Sequence, residues 1–370
     1  MMRKRKSAIA ILVSSFVLAS TGSLAQTSGQ VRVQGVPVPQ GSGSGGGAAT
    51  SGGAIIDLRE EMRKFVQRIS TYARRVKPNF VVIAKDGMDL LVKRDTIDET
   101  KASPARAYIR ALDGIMQEGM FFAEARGDRP FGSPPIPERQ TQMLAMADFA
   151  ASNGLKVWAH DFGVDNKAID EARKLANARG FLSIVSDTAS TDIFKLPSHP
   201  ARPPKENSKS ILSLDMVQNF ATIRNSTPYG QQAQFALKMH DTNYDALLVE
   251  VFHGRAPLSR QAVETLKYKK IGAKRMVLAY MDVGTAASYH YYWQANWREG
   301  SPFWISAPLR DDPDRYNVEY WNADWQGVMS GNTNSYLYGI IAQGFDGVVI
   351  EGLDAYKFFE GDTGDEEENQ

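Results

Sequence analysis

Along the chain, short apolar runs alternate with longer stretches whose apolar residues recur every three or four positions. The short runs are Phe80–Ala84, Met120–Ala123, Lys156–Ala159, Phe181–Val185, Asp245–Val251, Arg275–Met281 and Phe345–Ile350. A further one is expected near Phe303–Ser306 or Asn317–Tyr320. Their length predicts buried strands. The longer patterns predict helices at Glu138–Ser152, Asn166–Ala178, Gln231–Met239 and Ser259–Tyr268. Another helix, Ile56–Val76, precedes the first strand, with Leu58, Met62, Phe65, Val66 and Ile69 on one side and Pro78 just past its end.

Strand and helix alternating at this density imply a parallel sheet with crossover helices. About eight such units in roughly 300 residues fit a closed barrel better than an open sheet. The predicted fold is therefore α/β, a single (β/α)8 barrel of the TIM type. Ala84-Lys85-Asp86-Gly87 after the first strand lacks the glycine pattern of a dinucleotide site. Residues 186–228 form a long polar insertion, expected as a loop near the barrel mouth.

The chain of 370 residues is longer than the part expected to fold. MMRKRK, the apolar stretch Ser7–Ser20 and Ser23-Leu24-Ala25 predict a signal peptide over residues 1–25. The apolar stretch is short for a membrane span, so no span is expected after cleavage and the product is expected to be secreted or periplasmic. Residues 26–54, rich in Gly and Ser, are expected to be a flexible linker. The barrel is assigned to 55–360, and 361–370 is an acidic tail. Without cysteine there are neither disulfides nor thiolate metal sites. A net charge of +1 gives no reason to propose nucleic acid as a partner.

Barrel active sites form where strands end, so the residues following each apolar run matter most. Acids recur there: Asp86, Asp161, Asp187, Glu250, Asp282, Glu351 and Asp354. Two carboxyls about 5–10 Å apart across a glycosidic bond act as acid and nucleophile, or as acid and base. Glu250 and Glu351 close strongly apolar strands and are the expected catalytic pair, in unresolved order, with Asp282 in support. The pairing requires both to face one pocket, with neither buried in a salt bridge. The bland alternative, acids that cap helices or pair with Lys and Arg, stands beside it.

Five tryptophans, Trp293, Trp297, Trp304, Trp321 and Trp325, fall within 33 residues, with Tyr316 and Tyr320 among them and Tyr289, Tyr291 and Tyr292 just before. Flat aromatic faces suit sugar rings, although core packing accounts for a share of the cluster. Asp161, Tyr280, His290, Tyr292, Trp293, Trp321 and Asp354 are the expected substrate-binding residues. The five histidines show no H-x-x-x-H or H-E-x-x-H spacing. A metal-dependent hydrolase would have to be built on His160 and Asp161; no metal and no cofactor is expected. There is no G-x-S-x-G elbow.

The segments YDALLVEVF (244–252), RMVLAYMDVGTAASYHYYW (275–293), YNVEYWNADWQGVM (316–329) and GFDGVVIEGLDAY (344–356) resemble the glycoside hydrolase family 114-like proteins, related to endo-α-1,4-polygalactosaminidase. NFVVIAKDGMDLL (79–91) and KVWAHDFG (156–163) resemble its first strands more loosely. The resemblance implies a barrel that cleaves galactosamine-containing polysaccharide, an amino-sugar polymer, without a metal. Members commonly carry Asp where this chain has Glu250 and Glu351, and Gly-Glu then Arg where it has Gly284-Thr285-Ala286-Ala287 and His290. One added methylene extends a carboxylate's reach by about 1–1.5 Å. Two outcomes follow: cleavage with adjusted spacing, or a barrel that binds polysaccharide without cutting it.

Overall fold

The computed structural model of the protein describes residues 30–32, 55–94 and 101–361. The signal peptide lies outside them, as do most of the linker and nearly all of the acidic tail. Within the linker segment, Gln30–Arg32 pairs antiparallel with Ile55–Asp57.

The core is an eight-stranded parallel sheet: β1 (Val81–Lys85), β2 (Gly114–Glu118), β3 (Lys156–Phe162), β4 (Leu182–Ser186), β5 (Phe220–Ile223), β6 (Ala246–Val249), β7 (Met276–Asp282) and β8 (Gly347–Glu351). Its spatial order is β4-β3-β2-β1-β8-β7-β6-β5, which is chain order wrapped round a cylinder. The edges β4 and β5 touch without pairing, so the barrel is nearly closed. Strands so enclosed are apolar on both faces, which is why they appear as continuous runs. Trp158 and Phe220, with ring centroids 4.6 Å apart, help to fill the interior. Gly347 opens β8 because a Cβ there would lie 2.4 Å from the Val81 carbonyl oxygen.

Helices α1 (Leu58–Val76), α2 (Arg106–Ala111), α3 (Pro137–Ser152), α4 (Asn166–Ala178), α5 (Gln232–His240), α6 (Arg260–Leu266), α7 (Ala323–Met329), α8 (Tyr336–Gln343) and α9 (Tyr356–Glu360) accompany the strands. The α1 N-terminus is fixed by Asp57, which accepts from Glu60 N at 2.9 Å. Among the described residues no helix is long and apolar enough to cross a membrane.

Three expectations shift. The second strand is Gly114–Glu118, not Met120–Ala123. The later run follows a left-handed turn at Gly119 (φ 61°), and Met120 and Phe121 are apolar because they pack on the core. The expected strand near 303–320 exists as Ile305–Pro308 and Arg315–Val318, but these join Thr285–Ala287 in a separate antiparallel sheet. The fifth barrel strand is β5, inside the segment expected as a polar loop. Between β4 and β5 the chain makes only short 3-10 turns and runs from the mouth to the opposite end of the barrel.

That opposite end is fastened by charge. Lys269 and Asp245, both fully buried, pair at 2.6 Å, and Lys269 Nζ also donates to the Asn207 and Lys209 carbonyls. Asp245 accepts from Gln218 N and Asn207 Nδ2 as well, so the crossing segment is pinned where β5 begins. Asp346, before β8, pairs with Lys77 and Lys267, each at 3.1 Å. Removing one partner of a buried pair strands the other charge in low dielectric. Lys269→Met is therefore expected to cost about 3–5 kcal/mol, read from the urea midpoint at unchanged slope; a loss below 1 kcal/mol would contradict this role.

Candidate functional site

The mouth is built from the last residues of the strands. Lys85 ends β1, Glu118 ends β2, Ser186 ends β4, Asp282 ends β7 and Glu351 ends β8; Arg224 and Glu250 follow β5 and β6 by one residue. Two cations organise this ring. Lys85 Nζ lies 2.9 Å from Asp86, 3.0 Å from Glu118 and 3.3 Å from Glu351. Arg224 reaches Glu351 Oε2 at 2.8 Å through one terminal nitrogen and Glu250 Oε1 at 3.0 Å through the other. The nearest oxygens of Glu250 and Glu351 are thus no more than about 8 Å apart, two contacts plus the width of a guanidinium.

Arg224 is itself held from below. Its guanidinium lies 3.8 Å from the centroid of the Tyr280 ring, and the Tyr280 hydroxyl shares a 2.7 Å hydrogen bond with Thr222. A cation over an aromatic face is attracted by the ring's quadrupole, which adds to the two carboxylate contacts.

The charges do not balance. Four carboxyls, those of Asp86, Glu118, Glu250 and Glu351, surround two cations, so the site favours retaining protons. Burial pushes Glu250 above the usual carboxylate range, and the nearby Glu351 charge adds to this against the opposing pull of Arg224. Burial likewise raises Asp86. Burial acts on Glu351 in the same sense, but Arg224 and Lys85 outweigh it and hold Glu351 below its ordinary value. Glu118 is lowered in the same way, with Lys85 and His160 overcoming burial. The side chains are 14% exposed at Glu351 and 27% at Glu250, so Glu250 is the more open to solvent.

Asp282 closes the adjoining side. It accepts from Gly284 N (2.9 Å), Thr285 N (3.0 Å) and Thr285 Oγ1 (2.7 Å), and pairs with Arg315 at 2.8 Å. Arg315 also donates to the Tyr289 hydroxyl at 2.8 Å. These bonds occupy Asp282 with local structure.

The remaining expected residues are dispersed. Buried Asp161 accepts from Phe121 N (2.6 Å) and Phe122 N (3.0 Å), bracing the turn after β2, and its other oxygen has no partner among the described residues. Burial pushes its pKa up to about 6. His290 stacks on Phe252 and Tyr336 with ring centroids 4.8 and 5.5 Å away, and burial takes its pKa down to about 3. The Tyr292 hydroxyl accepts from Ala287 N at 3.1 Å. Trp293 stacks on Tyr316 at 5.2 Å, whereas Trp321 packs edge-on against Phe359. Asp354 is exposed in the turn before α9, outside the ion-pair network. Among the described residues no group of three or more His, Asp or Glu is placed to hold a metal ion.

Sequence reasoning passed over Arg224, Glu118 and Arg315. Glu118 ends one of the strands that were not placed and Arg224 follows the other, and a short run such as FATI followed at once by Arg was the available signal. Glu351 is buried in ion pairs with Lys85 and Arg224, and Glu250 pairs with Arg224, so the condition that neither acid be buried in a salt bridge is not met, which bears on their role below.

The chain is thus an α/β barrel with an acid-rich mouth. No protein-family model matches it. It is 31% identical over 161 residues to an uncharacterized protein of Deinococcus radiodurans, covering 43% of this chain and 46% of that one. It is 26% identical over 164 residues to an uncharacterized protein of Methanocaldococcus jannaschii (42% and 46%), and 29% identical over 107 residues to one of Thermotoga maritima (27% and 32%). The matched region spans less than half the length of each of these relatives.

Two outcomes test the electrostatics. In Glu351→Gln a like charge disappears and Arg224 is left to Glu250 alone, so the Glu250 carboxyl should titrate at lower pH in 13C spectra; an unchanged or higher midpoint refutes the coupling. Asp161 keeps its proton in the folded state up to about pH 6, while the unfolded chain loses it near 3.9. Stability from this group is therefore full below about 3.9 and falls by roughly 3 kcal/mol as pH rises to about 6. Asp161→Asn should flatten that part of the stability–pH curve.

Proposed function

We propose that the chain is an exported glycoside hydrolase that cleaves galactosamine-containing polysaccharide with a pair of carboxyls. The observation that supports this most is the sharing of one guanidinium by Glu250 and Glu351 at a barrel mouth, with the two carboxyls shifted in opposite directions. Glu250, whose hold on its proton is strengthened by burial and by its neighbour's charge, donates to the departing glycosidic oxygen. Glu351, kept ionised by Arg224 and Lys85, serves as the nucleophile or activates water. Charge favours this order, because a carboxylate held by two cations makes a poor proton donor.

The same ion pairs favour a second reading. Glu351 is restrained by two cations, and a carboxylate so occupied suits a barrel that binds polysaccharide without cutting it. The two readings share the surface and differ in the chemistry.

Purified protein incubated with galactosamine-rich polysaccharide is expected to generate new reducing ends. Glu250→Gln and Glu351→Gln should each slow this by about 100-fold or more. Retention of the polymer with no new ends would favour the binding reading. Neither retention nor cleavage would refute both, and activity lost with EDTA would replace the carboxyl pair by a metal.

A further inference from the structure

No serine-hydrolase elbow exists in the sequence, yet three adjacent strands bring a serine, a histidine and a carboxylate into line. Ser186 Oγ lies 2.8 Å from His160 Nε2, and His160 Nδ1 lies 3.1 Å from Glu118 Oε1. The alignment follows from register, with Glu118 opposite His160 across β2 and β3 and Ser186 opposite Phe162 across β3 and β4. Ionised Glu118 only accepts, so Nδ1 carries the hydrogen that faces it. In the neutral ring Nε2 is then the acceptor, and it takes the hydrogen bond of the serine hydroxyl. This polarity is the one that activates a serine, and such constellations are recognised by geometry on unrelated folds.

Two further observations point to a ligand. A cavity of about 230 Å³ opens beside the chain of groups, with Glu118, Gly119, Ala123 and Phe162 in its wall. The Phe162 ring packs on His160 with centroids 4.7 Å apart, so the cavity approaches the buried His160 and Ser186 through Glu118 and Phe162 in its wall. Thr188, two residues beyond Ser186, has a buried hydroxyl with no partner among the described residues.

We propose that Ser186, His160 and Glu118 form a second catalytic site that hydrolyses short-chain acyl esters. Ser186 Oγ bonds to the acyl carbon while the ester C–O bond breaks; the serine proton passes to His160 Nε2 and then to the departing alkoxide. Water next attacks the acyl-serine, giving its proton to Nε2, and Ser186 leaves with that proton as the carboxylic acid departs. Glu118 is a positioning residue that fixes the histidine tautomer. Drug-sized pockets begin near 300 Å³, so this smaller cavity restricts the acyl group to a few carbons. The assignment is independent of the glycosidase reading.

Full-length protein is mixed with 4-nitrophenyl acetate, quenched in acid and digested, and its peptides are weighed. One acetyl group is expected on the Ser186 peptide, absent in Ser186→Ala, and His160→Gln should slow nitrophenol release by about 100-fold or more. Glu118→Gln should lower kcat with KM little changed, because the imidazolium formed during the step loses its neighbouring anion. Unsubstituted protein treated with a fluorophosphonate should be modified at Ser186, a test that requires no variant to fold. Acetylation confined to lysines, equal release in Ser186→Ala, or no phosphonylation of Ser186 would each overturn the proposal.

Discussion

The sharing of one guanidinium between Glu250 and Glu351 governs the mouth of this barrel. Arg224 has two terminal nitrogens and commits one to each acid. A planar fork fixes both directions at once, so the two carboxyls are spaced by covalent geometry rather than by flexible side chains. Lys85 adds a second positive charge on the Glu351 side. The asymmetry between the acids follows from that count: Glu351 answers to two cations and Glu250 to one at contact distance.

The two ends of the barrel handle charge in opposite ways. At the end where the strands begin, buried Asp245 meets Lys269 and several amide donors, and Asp346 meets two lysines. Each charge there has partners that satisfy it, which is what stability asks of a buried ion. At the other end carboxyls outnumber cations, and Glu250 and Asp86 are shifted toward holding their protons. Groups that titrate away from their ordinary range concentrate at sites of chemistry, although structural networks produce the same effect. The distinction here rests on the imbalance, since a purely structural network gains by being neutral and fully paired.

Much of the barrel was legible in the sequence because enclosed strands are apolar on both faces and interrupt helical periodicity. Helix α4 matches its expected bounds, and six of the eight barrel strands lie close to theirs. The two strands that were missed share a physical cause. β2 stands beside MFFA, a stronger apolar signal that packs as a turn, and β5 is four residues long inside a polar crossing. Losing those strands also hid Glu118 and Arg224, because mouth residues are found only by knowing where strands stop. The aromatic cluster misled for another reason: composition counts rings without telling which ones stack on one another. Trp304 and Trp325 are buried, and His290 is held between rings.

The stretch GVVIE shows how local and global requirements meet at one residue. Gly347 admits the neighbouring strand, Val348 to Ile350 fill the wall, and Glu351 emerges beside Lys85 and Arg224. Lys85 contacts Glu118 as well, so the half of the mouth built from β2 to β4 is tied to the half built from β6 to β8. A proton added to Glu118 would release Lys85 toward Glu351 and deepen its ionisation, while a ligand that drew Lys85 away would weaken it. The two constellations therefore sense one another through a single ammonium group, and neither can change its charge alone.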